Sequence, residues 1–327
     1  MHPEQPISHR ERMFGLARVA TAGFIWGSIP LIIRFADGAS VVKVFFRVAC
    51  AALVIGGWML ASGGWRELAG LPARKWGQLA TQGLVLTLNW FLFLTALDMT
   101  SVATAELLAY TGPVFVAALA PFVTREPFDK RVIPPLALAF GGIAVILVPQ
   151  GLKLNSQQEL IGAGLAFLSA LTYATLLLRS KKILRGVSSG ALMLVEYTLA
   201  SLVLAPFVAL AYARGDAPST PAAYAALVIL GVFHTAIAGF IFLGGMRRVR
   251  TDHVAILTYV EPVTAVMLAA LFLGEALTLA TLIGGAMVVG GGLLVARLEE
   301  PPGGEPVPIE AAGTDETEGD GARAYTE

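Results

Sequence analysis

Three observations predict an all-α integral membrane protein whose ten transmembrane helices form two inverted five-helix repeats. Of the 327 residues, 56% are hydrophobic and only 14% are charged. So few charges cannot cover a soluble surface of this size, whereas lipid asks for apolar residues on the outside. Ten separate stretches are long and apolar enough to cross a bilayer. Finally, one passage is written twice: LLAYTGPVFVAALAPFVTRE at 107–126 and ILTYVEPVTAVMLAALFLGE at 256–275. At an offset of 149 positions they align Tyr110 with Tyr259, Pro113 with Pro262, Val114 with Val263, Leu119 with Leu268 and Glu126 with Glu275.

A spanning helix needs roughly 20 mainly apolar residues. Suitable runs fall at 15–35, 41–62, 76–97, 101–124, 132–149, 160–179, 190–212, 222–244, 253–273 and 278–296. Residues 1–14, with the polar head MHPEQPISHRER, precede the first run. No small-residue cleavage site follows that run, so it reads as a retained helix and not a removed leader. The first five runs fill a repeat over 15–149, a linker follows at 150–159, and the other five fill 160–298. Gly, Pro, Asp or Ser punctuate the short connections. Residues 299–327 hold nine acidic residues, one Arg and many Gly and Pro, the composition of a disordered tail with no core to bury.

The formal net charge is zero, but the cations are sorted. Eighteen of the 23 Lys and Arg lie at the N-terminus, in every second loop or in the tail, while the alternate loops hold only Arg34, Lys43, Lys153 and Arg214. Cations stay cytoplasmic, so both termini are expected inside, with 150–159 on the opposite side and 299–327 in the cytoplasm. Arg47 is left within a span. The single cysteine, Cys50, offers neither a disulfide nor a thiolate metal site. No metal, cofactor or nucleic-acid partner is expected.

The repeat reaches well beyond the quoted passage. Arg47-x-x-x-Ala51-Ala52-Leu53-Val54 falls on Glu196-x-x-x-Ala200-Ser201-Leu202-Val203, FLFL at 91–94 on FIFL at 240–243, and Gly141-Gly142 on Gly290-Gly291. Trp26 meets Tyr173 at an offset of 147. Five helices per half is an odd number, so the second copy enters the membrane upside down. The loops agree: TREPFDKR carries three cations and its partner LGEALTLA none, whereas LDMTS carries none and its partner MRRVR three. Inverted repeats of this kind characterise secondary transporters, with a solute site near the bilayer midplane.

The stretch Glu261-Pro262-x(11)-Gly274-Glu275, the ten spans and the two halves resemble the EamA-type branch of the drug/metabolite transporter superfamily over residues 15–297. Within that branch the chain is similar to bacterial exporters of amino acids, the YddG type that carries aromatic ones. The resemblance implies export of small amphipathic metabolites by alternating access across a bacterial inner membrane, with the linker 150–159 periplasmic. The first copy departs from the pattern, with Thr124-Arg125-Glu126 in place of Leu-Gly-Glu and Gly112 in place of the glutamate before the proline.

Counting helix rise from the span edges puts Trp26, Tyr110, Tyr173, His234, Tyr259 and Glu261 within about 5 Å of the bilayer centre. Aromatic residues normally belt the interfaces, so this set points to a central cavity lined by rings, with ordinary packing through aromatic faces as the other reading. Pro113 and Pro262 follow their tyrosines by three residues; each removes a helical hydrogen bond, from Ala109 or Thr258, and marks a kink or gate. Glu261 either takes up a proton, making the proton a coupling ion, or accepts hydrogen bonds from a neighbouring helix. His234 is expected to be hydrogen-bonded structure. Asn89, with Trp90, is expected near the outward mouth. Arg47 is expected to snorkel outward, too far in depth to pair with Glu196, leaving the compartment largely uncharged. The glycines of GGAMVVGGG at 284–292 suit close helix contact within a monomer or in a weak homodimer.

Other function classes fare worse. Exchange of phosphorylated metabolites or nucleotide sugars would need central cations. An enzyme is not expected: there is no HExxH, no pair of intramembrane aspartates, and only His2, His9, His234 and His253. A non-transporting receptor would be expected to carry a folded soluble output domain, which these residues do not suggest.

Overall fold

The computed structural model describes residues 8–274 and 277–298. Glu275 and the expected tail at 299–327 lie outside the described residues. Ten helices long and apolar enough to span a bilayer are present among the described residues, and no strand is. They are α1 (His9–Ile33), α2 (Ser40–Ala61), α3 (Ala73–Met99), α4 (Val102–Val123), α5 (Lys130–Gln150), α6 (Gln157–Ile183), α7 (Ser189–Ala213), α8 (Pro221–Met246), α9 (Thr251–Leu273) and α10 (Leu279–Arg297).

Local sequence explains where these helices start. Ser8 and Glu11 form a reciprocal cap, the Ser8 hydroxyl accepting the Glu11 N–H at 3.2 Å while Glu11 accepts the Ser8 N–H at 3.0 Å. That cap satisfies amides a helix start leaves without partners, and it begins α1 at His9, ahead of the apolar run. Ser156 and Glu159 repeat the same box at the start of α6. Ser101, Ser188, Thr220 and Thr278 cap α4, α7, α8 and α10 through single hydroxyls.

Packing reproduces the duplication. Helix α3 lies on α6 as α8 lies on α1, and α4 lies on α6 as α9 lies on α1. The pairs α2–α7, α4–α9 and α5–α10 each join an element to its own repeat partner. Exchanging the halves therefore returns the same contacts, the result of a two-fold relation between two antiparallel five-helix units. The α5–α10 contact brings backbone close to backbone. A Cβ on Gly142 would stand 2.5 Å from the Gly284 carbonyl oxygen, and one on Gly291 2.7 Å from that of Pro135. The glycine run of α10 thus serves contact within the chain.

Helices α1, α4, α8 and α9 depart from regular winding within their length, α1 turning at Ser28. α4 breaks at Tyr110–Thr111 and α9 at Thr258–Tyr259, immediately before Pro113 and Pro262. Pro113 and Pro262 are the second and third residues of the second half-helices, within the first turn, where N–H groups lack a helical partner in any case. The Thr258 carbonyl, which Pro262 frees, takes the Glu261 N–H at 3.1 Å, and the Tyr110 carbonyl, opened by the α4 break, takes the Tyr259 hydroxyl at 2.7 Å. In α8 the segment Leu230–Ile237 is wound as a π-helix, whereas its repeat partner α3 is α-helical throughout.

The face on which α1 begins and α10 ends is sealed by the sorted cations. Lys181 Nζ donates to the carbonyls of Met246 and Val249 at 2.6 Å each, Arg185 to that of Thr124 at 2.9 Å, and Arg247 to that of Val187 at 2.7 Å. Arg12 reaches the Val295 carbonyl at 3.1 Å. Met246, Thr124 and Val295 lie at or just past the C-termini of α8, α4 and α10, where open carbonyls and the helix dipole favour a positive charge, while Val187 and Val249 lie in the loops leading into α7 and α9. Glu126 does the converse at the start of α9, accepting the N–H and hydroxyl of Thr251 at 2.8 and 2.7 Å. Arg250 forks onto Asp252, at 3.1 and 2.7 Å, and onto the Pro127 carbonyl at 2.8 Å. Beside them, the hydrogen-bonded Arg131 guanidinium holds the Asp129 carboxyl below the usual carboxylate range.

Candidate functional site

Between the halves lies a cavity of about 670 Å³, within the size range of small-molecule sites. Ser180, Met193 and Met246, all buried, form its floor toward the sealed face. Ser40 and Lys43, exposed and half-exposed, stand at its mouth on the opposite face. Trp26, Trp90, Phe93, Tyr173 and Tyr197 supply aromatic wall, and Arg47, Glu106, Glu196 and Glu261 supply charge. A second space of about 280 Å³ adjoins it, lined by Asn89, Trp90, Glu106, Tyr110, Pro113, Tyr173, Thr258 and Glu261 among others.

The structure brings together most of the residues singled out by depth. Trp26, Asn89, Tyr173, His234 and Glu261 line the larger cavity, and Tyr110 with Pro113 lines the smaller. Tyr259 stands behind them. Its side chain is fully buried, contributes to neither wall, and ties the two helix breaks together through its bond to the Tyr110 carbonyl, ring centroids 6.2 Å apart. Pro262 is likewise buried and off both walls.

Several wall residues are held rigidly. Trp26 donates its indole N–H to the His234 carbonyl at 2.7 Å and packs its ring on Phe242 at 5.0 Å. His234 Nε2 is 2.9 Å from the Ser28 hydroxyl, hydrogen-bonded as expected. Asn89 donates to the Ser169 carbonyl at 2.7 Å and to the Thr172 hydroxyl at 2.9 Å. Because α3 continues to Met99, Asn89 lies about 15 Å from its end by helix rise. That is mid-depth, and corrects the placement of Asn89 near the outward mouth.

The charges differ most from expectation. Arg47 does not turn outward: its Nε donates to the Thr235 hydroxyl at 3.3 Å, and its side chain lines the cavity. The cause is local. Gly231 lets α8 approach α2 so closely that a Cβ there would stand 2.5 Å from Cys50 Cβ. The π turn then presents Thr235, whose hydroxyl also bonds the Leu230 carbonyl at 2.9 Å, to Arg47. The compartment is accordingly charged, although Arg47 and Glu196 form no ion pair among the described residues. Glu106 was overlooked by depth counting; a lone carboxylate inside the apolar run VATAELLAY was the available signal. The side-chain carboxyl groups of Glu106 and Glu261 have no hydrogen-bond or ion-pair partner among the described residues, and both residues line both cavities. Glu261 sits in the first turn of its half-helix, where the dipole favours an anion; Glu106 sits near the end of its own, where the dipole favours a cation.

Ten membrane-spanning helices in two like halves around an aromatic, charged cavity define a transport protein of the membrane. The profile of the EamA-like transporter family matches residues 13–148 and again 160–297, and the chain belongs to that family. It is similar to the uncharacterized transporter YxxF of Bacillus subtilis (strain 168), 26% identical over 298 residues, spanning 89% of this chain and 92% of the relative. An uncharacterized transporter of Archaeoglobus fulgidus is 26% identical over 284 residues, spanning 87% of this chain and 97% of the relative. A solved crystal structure superposes with a TM-score of 0.74 at 20% identity, covering 86% of this chain and 96% of that one, and shows the same fold.

Proposed function

We propose that this transporter exports small amphipathic metabolites, foremost amino acids with aromatic or hydrophobic side chains, across the bacterial inner membrane by alternating access. Both termini then face the cytoplasm, as the sorting of cations favours. The observation that carries this reading is the cavity itself. Its rings suit an apolar side chain, and its arginine and carboxylates suit a zwitterionic backbone. Proteoliposomes should show counterflow of phenylalanine or methionine, and Tyr173→Ala or Trp26→Ala should lower uptake by about tenfold or more, the loss of one good aromatic contact. Normal flux in both variants removes the aromatic site.

Glu261 is proposed to carry the coupling proton, since a mid-membrane carboxylate without a protein partner is the usual element of a proton relay. Uptake driven by a pH gradient in the native protein is expected to become independent of that gradient in Glu261→Gln, with exchange retained. A native protein indifferent to the gradient would mark facilitated diffusion instead.

The second reading, exchange of phosphorylated metabolites or nucleotide sugars, gains support from Arg47 and Lys43 in the wall. Three carboxylates in that wall oppose a dianion. Competition by a sugar phosphate against labelled phenylalanine would decide for it.

A further inference from the structure

Arg47 and Glu261 line the same cavity yet form no contact within ion-pair distance among the described residues. A buried arginine and a buried carboxylate in one low-dielectric space gain strongly from direct pairing. Here each is held apart by its own element. Arg47 on α2 is tied to Thr235 by the π turn of α8, and Glu261 is fixed in the first turn after the α9 break. The gap between them belongs to the cavity that both line. Glu106 on α4 shares both cavity linings with Glu261, whereas Arg47 lines the larger one alone.

We infer that Arg47 reads the carboxylate, and Glu106 with Glu261 the ammonium, of a zwitterionic solute seated between them. The inference rests on the amino-acid reading above and assigns its specificity. The remaining charged or titratable groups of the wall are distributed around this pair: Lys43 on α2 at the mouth, Tyr173 on α6, Glu196 and Tyr197 on α7 and His234 on α8, with Tyr110 on α4 in the adjoining space. None of these offers a second guanidinium. A solute with only one of the two charges leaves a desolvated partner unanswered, which is how buried polar sites reject near-isosteres. Charge-assisted bonds of this kind are strong and directional.

The test is competition against labelled phenylalanine on purified, reconstituted protein, using phenethylamine, which lacks the carboxylate, and 3-phenylpropionate, which lacks the ammonium. The native protein should prefer phenylalanine over each by about tenfold or more. In Arg47→Gln the affinity for phenylalanine should fall to that for phenethylamine, whose own affinity stays constant; Arg47→Lys, which keeps the charge, should restore part of the preference. In Glu106→Gln and Glu261→Gln the preference over 3-phenylpropionate should shrink while that over phenethylamine persists. Arg47→Gln weakening all three ligands alike would assign Arg47 a structural role and overturn the inference, leaving amino-acid transport standing. Native protein that binds none of the three overturns both.

Discussion

Lys181→Met should cost the protein about 3–5 kcal/mol, the loss that follows removal of one member of a buried charged network. Lys181 is buried, donates to two carbonyls, one at the end of α8 and one in the loop leading into α9, and stands 4.0 Å from Glu126, which in turn caps α9. Methionine fills the volume but leaves these acceptors desolvated and without a donor. The thermal midpoint in detergent should drop, with Lys181→Arg intermediate. In a Cys50→Ser background, a cysteine placed at Met193 on the cavity floor should react faster from the sealed face once Lys181 is replaced. An unchanged midpoint and unchanged labelling would show that these contacts do not hold that face shut.

The joint variant Pro113→Ala with Pro262→Ala should fold well and transport poorly. Proline in a helix interior costs about 3 kcal/mol, and alanine at both sites allows α4 and α9 to wind through their breaks. The Tyr110 carbonyl would then be taken by its own helix, and the Tyr259 hydroxyl bond that joins the breaks would lose its acceptor. Thermal stability is expected to hold or rise while initial uptake falls by about tenfold, as happens when a hinge is stiffened. Full uptake would mean that the breaks are fixed architecture and not moving parts.

Much of this fold is legible in the chain because its signals are collective. Apolar run length, loop charge and a repeat at constant offset each sum over many residues, and lipid enforces all three. The breaks were legible too, since proline acts through its own missing donor. The site was read only in part. Depth along a helix follows from counting, and Trp26, Tyr110, Tyr173, His234 and Glu261 do line the two cavities. Which way a residue faces depends on its neighbours, so Tyr259 reads as wall when it is buried support. Arg47 was placed wrongly because a π turn in another helix, 188 residues away, gives it a partner that no local pattern announces. Glu126, Lys181 and the arginines of the sealed face read only as markers of orientation; their role in closing helix ends appears once the ends are brought together.

The π winding of α8 carries one more consequence. A chain copied and turned over makes two walls of matching chemistry, suited to a cargo that is the same at both ends. Where α3 offers Val85 and Leu86, α8 offers His234 and Thr235 at the equivalent places, on a stretch whose wider coil turns different side chains inward. One altered coil in one helix is thus enough to give twin halves a polarity, and a lopsided passenger needs a lopsided seat.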